Sequence, residues 1–105
     1  MTYTDEQIAN GRRKLQRAEQ WRRANADVYG YAESIALEQA RQEQPISARE
    51  LVDAVRRKAF TDSEGRDARP NNDYAPMWGR WLALEHPETR PYIEHRKTVY
   101  DLLMV

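Results

Sequence analysis

Two histidines, three serines and no cysteine make up the nucleophile and ligand repertoire of this 105-residue chain. His86 sits in Glu85-His86-Pro87-Glu88, and His95 lies nine residues on in Glu94-His95-Arg96-Lys97. Neither makes the His-x-x-x-His or Glu-x-x-His spacing that places two ligands on one helical face. A metal site would need carboxylates converging from elsewhere, and no spacing predicts them. The absence of cysteine excludes thiolate clusters, disulfide frameworks and cysteine nucleophiles. Ser34, Ser47 and Ser63 fall within a helical pattern, at a helix cap and in a loop, and none occupies a nucleophile elbow. Asp62-Ser63-Glu64-Gly65-Arg66-Asp67 departs from a calcium loop: its glycine comes two positions early, and Arg66 and Arg69 put positive charge where a dication would sit. The four glycines, Gly11, Gly30, Gly65 and Gly79, are too far apart for a phosphate loop. The sequence therefore offers no catalytic, cofactor-binding or metal residue. An enzyme working through Glu85, Glu88 and His95 would have nothing to hold those groups together.

Charge and aromatic residues carry the remaining chemistry. Lys plus Arg and Asp plus Glu are 17 each, so the formal charge is zero, which argues against a generally polycationic binder. The charges are nevertheless segregated. Residues 1–25 hold six basic and three acidic groups, residues 26–47 one and four, and residues 48–60 four and two. One reading pairs these helices internally. Another takes Arg12, Arg13, Lys14, Arg17, Arg22 and Arg23 with Arg56, Arg57 and Lys58 as a phosphate-contacting surface. Asn71, Asn72, Tyr74 and Arg80 would then read bases from the start of a later helix. The structural explanation competes at each point, because cations near a helix C-terminus are already favoured by its dipole. A helix-turn-helix sketched from the Ser47-capped helix and the Trp78 helix fits poorly, since about thirteen residues join them where three or four are usual.

Thr4-Asp5-Glu6-Gln7 has the form of a capping box and starts a first helix near Asp5. Ile8, Leu15, Ala18 and Trp21 form its narrow apolar stripe, and Asn10-Gly11 is expected to fray it. After a break at Asn25 to Asp27, Val28, Tyr31, Ala32, Ile35 and Ala36 mark a second helix that ends before Pro45. Ser47-Ala48-Arg49-Glu50 is a second capping box, followed by Leu51, Val52, Val55 and Ala59. A loop over 61–73 leads to a fourth helix capped by Asn71, Asn72 or Asp73, with Pro76 in its first turn and Trp78, Trp81 and Leu82 buried. Glu85-His86-Pro87 stops it. A fifth helix is expected to restart at Thr89 to Pro91, burying Tyr92, Ile93, Val99, Tyr100 and Leu103.

The expected fold is all-α, four or five helices in a single domain over 1–105, divisible into an N-terminal helical hairpin (1–44) and a compact Trp-containing unit (46–105). Leu, Ile, Val and Phe are only 17 residues and mean hydropathy is -0.99, so the core is modest and leans on 3 Trp, 6 Tyr and 13 Ala. No stretch is long and apolar enough for a signal or a membrane span, which points to a soluble, cytoplasmic chain. The first helix, too sparse to stand alone, must pack on the second helix, a second copy or a partner. These features lead to the expectation of a non-enzymatic interaction module, of the bacterial or phage accessory kind. It would bind a protein partner or itself through Ile8, Leu15 and Trp21, with no cofactor, membrane or small-molecule substrate implied. A small DNA- or RNA-binding regulator using the Arg clusters is the alternative.

Overall fold

The computed structural model describes residues 2–62, 64–94 and 96–104. Ser63 and His95, considered above for nucleophile and ligand chemistry, lie outside the described residues. The chain is all-α. Four helices, α1 (Asp5–Ala24), α2 (Ala26–Arg41), α3 (Ala48–Lys58) and α4 (Ala75–Glu85), are followed by a single turn, α5 (Tyr100–Leu103). Short 3-10 segments at Asn72–Tyr74 and Pro87–Tyr92 flank α4.

Local sequence sets the helix ends. The Thr4 hydroxyl accepts from the Gln7 amide at 3.1 Å while the Gln7 side chain accepts from the Thr4 amide at 2.9 Å, a complete capping box. Ser47 Oγ accepts the Glu50 amide at 3.2 Å and starts α3. Asn25, in neither helical nor left-handed geometry, separates α1 from α2 at a single residue. The 61–73 segment folds on itself. Asp62 Oδ1 accepts the amides of Glu64 and Arg66, and Thr61 pairs with Asp67 in an antiparallel bridge. Asn71 Oδ1 takes the Asp73 amide at 2.8 Å and starts the 3-10 turn that feeds α4.

Two sequence expectations are corrected. The fifth helix does not form over Thr89 to Leu103. Pro91 has no N–H and pushes Arg90 away from α geometry, so Pro87–Tyr92 stays 3-10 and Ile93 is extended. The Ile46 amide donates to Tyr92 O (2.8 Å) and the Glu94 amide to Ile46 O (3.2 Å), making a parallel bridge between distant segments. Gly11, expected to fray α1, lies buried inside an unbroken helix. A Cβ built there would stand 2.9 Å from Val99 Cγ1 and 3.0 Å from Leu103 Cδ1, so the missing side chain is what lets α5 lie against α1.

The two N-terminal helices touch each other little. α1 packs mainly on the Asn72–Tyr74 turn and α5, whereas α2 packs on α3 and the Pro87–Tyr92 segment. One core cluster joins them, with Trp78, Met77, Leu82, Ile46, Val52 and Val55 fully buried and Ala18, Ala32 and Ala36 closing the helix contacts.

The two helical glycines give a paired test. Nothing lies within 4 Å of a Cβ at Gly30, so Gly30→Ala should gain about 0.5–1 kcal/mol from helix propensity and raise the melting temperature by several degrees. Gly11→Ala has the same propensity gain but must displace a stiff valine and a leucine. Calorimetry should place it at or below the parent, and a gain equal to that of Gly30→Ala would refute the close-approach account.

Candidate functional site

Trp21 is committed within the chain. Its indole stacks on Trp78 with ring centroids 5.6 Å apart at 27°, meets Tyr74 at 6.2 Å, and donates Nε1–H to Ala68 O at 3.1 Å. Leu15 is half-buried against the same core, and Ile8 is half-buried about two helical turns earlier. The outer edge of that stripe remains open. Arg12, Leu15, Gln16 and Glu19 of α1 and Leu102 and Leu103 of α5 line a shallow groove of about 470 Å³, with Leu102 56% exposed. Leu102 was missed by the sequence reading because it belongs to a helical stripe only when α5 is a separate turn.

The basic residues divide into two groups. Arg80 is buried, donating to Asp101 Oδ1 (3.0 Å), Pro76 O (2.8 Å) and Arg96 O (2.7 Å), so it ties α4 to the C-terminal segment. Arg56 donates to Pro70 O at 2.6 Å, Lys58 rests its ammonium over the Tyr31 ring at 4.6 Å, and Asn71 is spent on its cap. Lys14 lies 3.8 Å from Asp73. Arg12, Arg13, Arg17, Arg23, Arg57 and Asn72 are exposed, and none of the five arginines makes an ion pair among the described residues. Arg13 reaches Asn10 on its own helix.

Arg22 organises a third place, which the sequence did not foretell. Its guanidinium grips Glu85 through both carboxylate oxygens, one at 2.7 Å, and lies over the Tyr29 ring (4.2 Å) and the Trp81 ring (4.9 Å). The hydrogen bonds from Arg22 hold the Glu85 carboxyl below the usual carboxylate range, and the same pair raises Arg22 further. Beside it, His86 Nε2 is 2.9 Å from Glu33 Oε2 and His86 Nδ1 is 3.5 Å from Glu88 Oε1. Glu33 lies on α2, 53 residues from His86, so the convergence was invisible to any spacing rule. Burial raises the Tyr29 phenol well above its ordinary value, and its hydroxyl has no hydrogen-bond partner among the described residues.

Family models, curated proteins and solved structures yield no match to this chain. No helix among the described residues is long and apolar enough to cross a membrane.

Arg80 is the residue whose assigned role changes most, and stability measures that change. Asp101→Ala should cost about 2–3 kcal/mol in urea unfolding, because it strips the carboxylate from a buried guanidinium. Arg80→Met, which keeps the packed stem and leaves a partly solvated Asp101, should cost less. The reverse order would remove the structural assignment.

Proposed function

We propose that the protein is a non-enzymatic helical module that associates with a second copy of itself through the outer edge of α1 and the adjoining α5 turn. The observation that carries this reading is the arrangement of Arg12 and Glu19 around Leu15 and Leu102 in one open groove. Ile8, Arg12, Leu15 and Glu19 recur at offsets of four, three and four, so they share one face of α1. Opposite charges seven residues apart on a single face are self-complementary. When α1 pairs antiparallel with its copy about a two-fold axis between Leu15 and Gln16, each Arg12 meets the other chain's Glu19. This is the isologous geometry expected of a homodimer. The groove's apolar floor supplies the burial and its charged rim fixes the direction. A strip the length of α1, roughly 30 Å by 10 Å, buries only about 600 Å² from the two chains together, well below the roughly 1,200 Å² of a standard specific interface, so association is weak and concentration-dependent.

Sedimentation of the full chain over a wide concentration range tests this. Arg12→Glu places like charges together at both symmetry-related points and should weaken the dimer by about tenfold, as expected for two exposed pairs each worth up to roughly 1 kcal/mol. The charge swap Arg12→Glu with Glu19→Arg should restore it. A chain that stays monomeric at the highest concentration, or a swap that fails to restore what the single change removed, rejects the two-fold pairing.

A second reading is supported by Arg13 and Arg17, one turn apart on the outermost face of α1, exposed and without ion pairs among the described residues. They suit phosphate contact, while Arg22, Arg56, Asn71 and Arg80 of the same candidate surface are engaged within the chain. Anisotropy titrations with duplex and single-stranded oligonucleotides at about 50 and 200 mM salt should show binding that weakens steeply at the higher salt and falls in Arg13→Glu. No binding at either salt rejects it.

A further inference from the structure

We propose that Glu33, Glu85 and His86 form a binding site for a single divalent cation of the zinc class, with Glu88 as the outer partner of the histidine. The cluster shares no residue with the lining of the α1 groove. One carboxylate oxygen each from Glu33 and Glu85 and one nitrogen of His86 lie within 4.8 Å of one another. Three ligands bound at about 2.0–2.2 Å around a tetrahedral ion stand roughly 3.3–3.5 Å apart, so a small rotation of the glutamate carboxylates completes the set. The 2.9 Å separation of His86 Nε2 from Glu33 Oε2 is already close to that value.

The surroundings of the cluster also suit a cation. Three carboxylates gather around the histidine: Glu33 and Glu88 contact its ring, and Glu85, the residue before it, is paired with Arg22. Glu88 stands 3.5 Å from His86 Nδ1, so that when a cation takes the place of the proton His86 Nε2 shares with Glu33 and the N–H moves to Nδ1, a carboxylate is at hand to orient the ring. The arginine does not close the site either, since a carboxylate has about four lone-pair directions and Glu85 can accept from Arg22 while ligating through another. An open cavity of about 510 Å³, lined by Glu33, Tyr29, Arg22 and Trp81, adjoins the cluster and gives an entry path and room for water. Tyr29, which lines that cavity, is 2% exposed, its hydroxyl has no hydrogen-bond partner among the described residues, and the charges of Arg22, Glu33 and Glu85 all act on it. Imidazole with carboxylates favours zinc, cobalt and nickel over magnesium or calcium, which prefer all-oxygen sites.

The test uses the tag-free full chain, stripped with chelator and titrated with zinc chloride by calorimetry, with cobalt absorption as a readout of coordination. One ion per chain is expected, with affinity in the micromolar range and a rise in melting temperature on binding. Glu33→Gln, which preserves shape, should weaken binding by more than tenfold, His86→Ala should abolish it, and Glu88→Gln should weaken it about tenfold through the histidine. Circular dichroism of each variant establishes that it is folded. Absence of zinc binding by the parent chain overturns the proposal, and leaves Glu33–His86 and Arg22–Glu85 as ion pairs alone. Binding that survives in Glu33→Gln and His86→Ala but is lost in His95→Ala also overturns it, because the ion then sits elsewhere.

Discussion

Trp78 is the point on which α1 and α2 meet α4. Its ring is fully buried, stacked on Trp21 from α1 and met edge-on at 5.2 Å by Tyr29 from α2, while Tyr29 in turn meets Trp81 edge-on at 5.6 Å. Offset stacking and edge contacts of this kind contribute about 0.5–1.5 kcal/mol each beyond the area they bury, so α1 and α2 are both held to α4 by aromatic geometry. A chain with so few branched aliphatics has few other large apolar groups with which to join its helices. Alanines fill the remaining interfaces, where their small size brings helix backbones close and a larger residue would hold them apart.

The same shortage explains the use of arginine inside. Arg80 replaces an apolar contact between α4 and the C-terminal segment with three directed hydrogen bonds, and the extended stretch around Arg96 is fixed by one of them. Arg56 does the same for the turn at Pro70, and Arg22 covers the exposed faces of Tyr29 and Trp81 while pairing with Glu85. Each contact satisfies a carbonyl or carboxylate that an aliphatic residue would leave unpaired, at the cost of desolvating a cation. The segregated charge pattern is thus partly architectural. The pairs made by α1 reach α4 and the turn before it, through Glu85 and Asp73, with no ion pair to α2 among the described residues despite the opposite charge of the two helices.

The helix starts and stops were legible because they are local. Capping residues at Thr4, Ser47 and Asn71, and the prolines at 45, 76 and 87, act within four residues of themselves, so the sequence alone places α1 to α4. The burial of Trp78, Trp81 and Leu82 was legible from spacing. What spacing could not give was anything decided by a neighbour. Gly11 reads as a weak point until Val99 and Leu103 are set beside it, and Arg80 reads as an exposed cation until Asp101 and Arg96 O surround it. His86 reads as a helix terminator because Glu33 is brought to it only by the packing of α2 on the Pro87–Tyr92 segment. Of the groove, Ile8 and Leu15 were visible on their stripe, whereas Leu102 depends on where α5 begins.

Glu85 connects these separate features. As the last residue of α4 it follows the buried Trp81 and Leu82 and precedes the histidine that ends the helix, so its position is fixed by the core. Through Arg22 it holds the C-terminal end of α1, the helix that carries the open groove, and through its neighbours it joins the Glu33–His86 pair. A group shared by two contacts makes them thermodynamically linked, since any ligand that alters how Glu85 divides itself must alter the anchor of α1 by the same free energy. The link is moderate, because the pair is partly solvated and screened, and because Trp21 holds the same end of α1 through Trp78 and Ala68. The aromatic contact sets where α1 lies, and the Arg22–Glu85 pair sets how firmly its end is held, so charge chemistry at the α4 terminus can act on the groove only by degree.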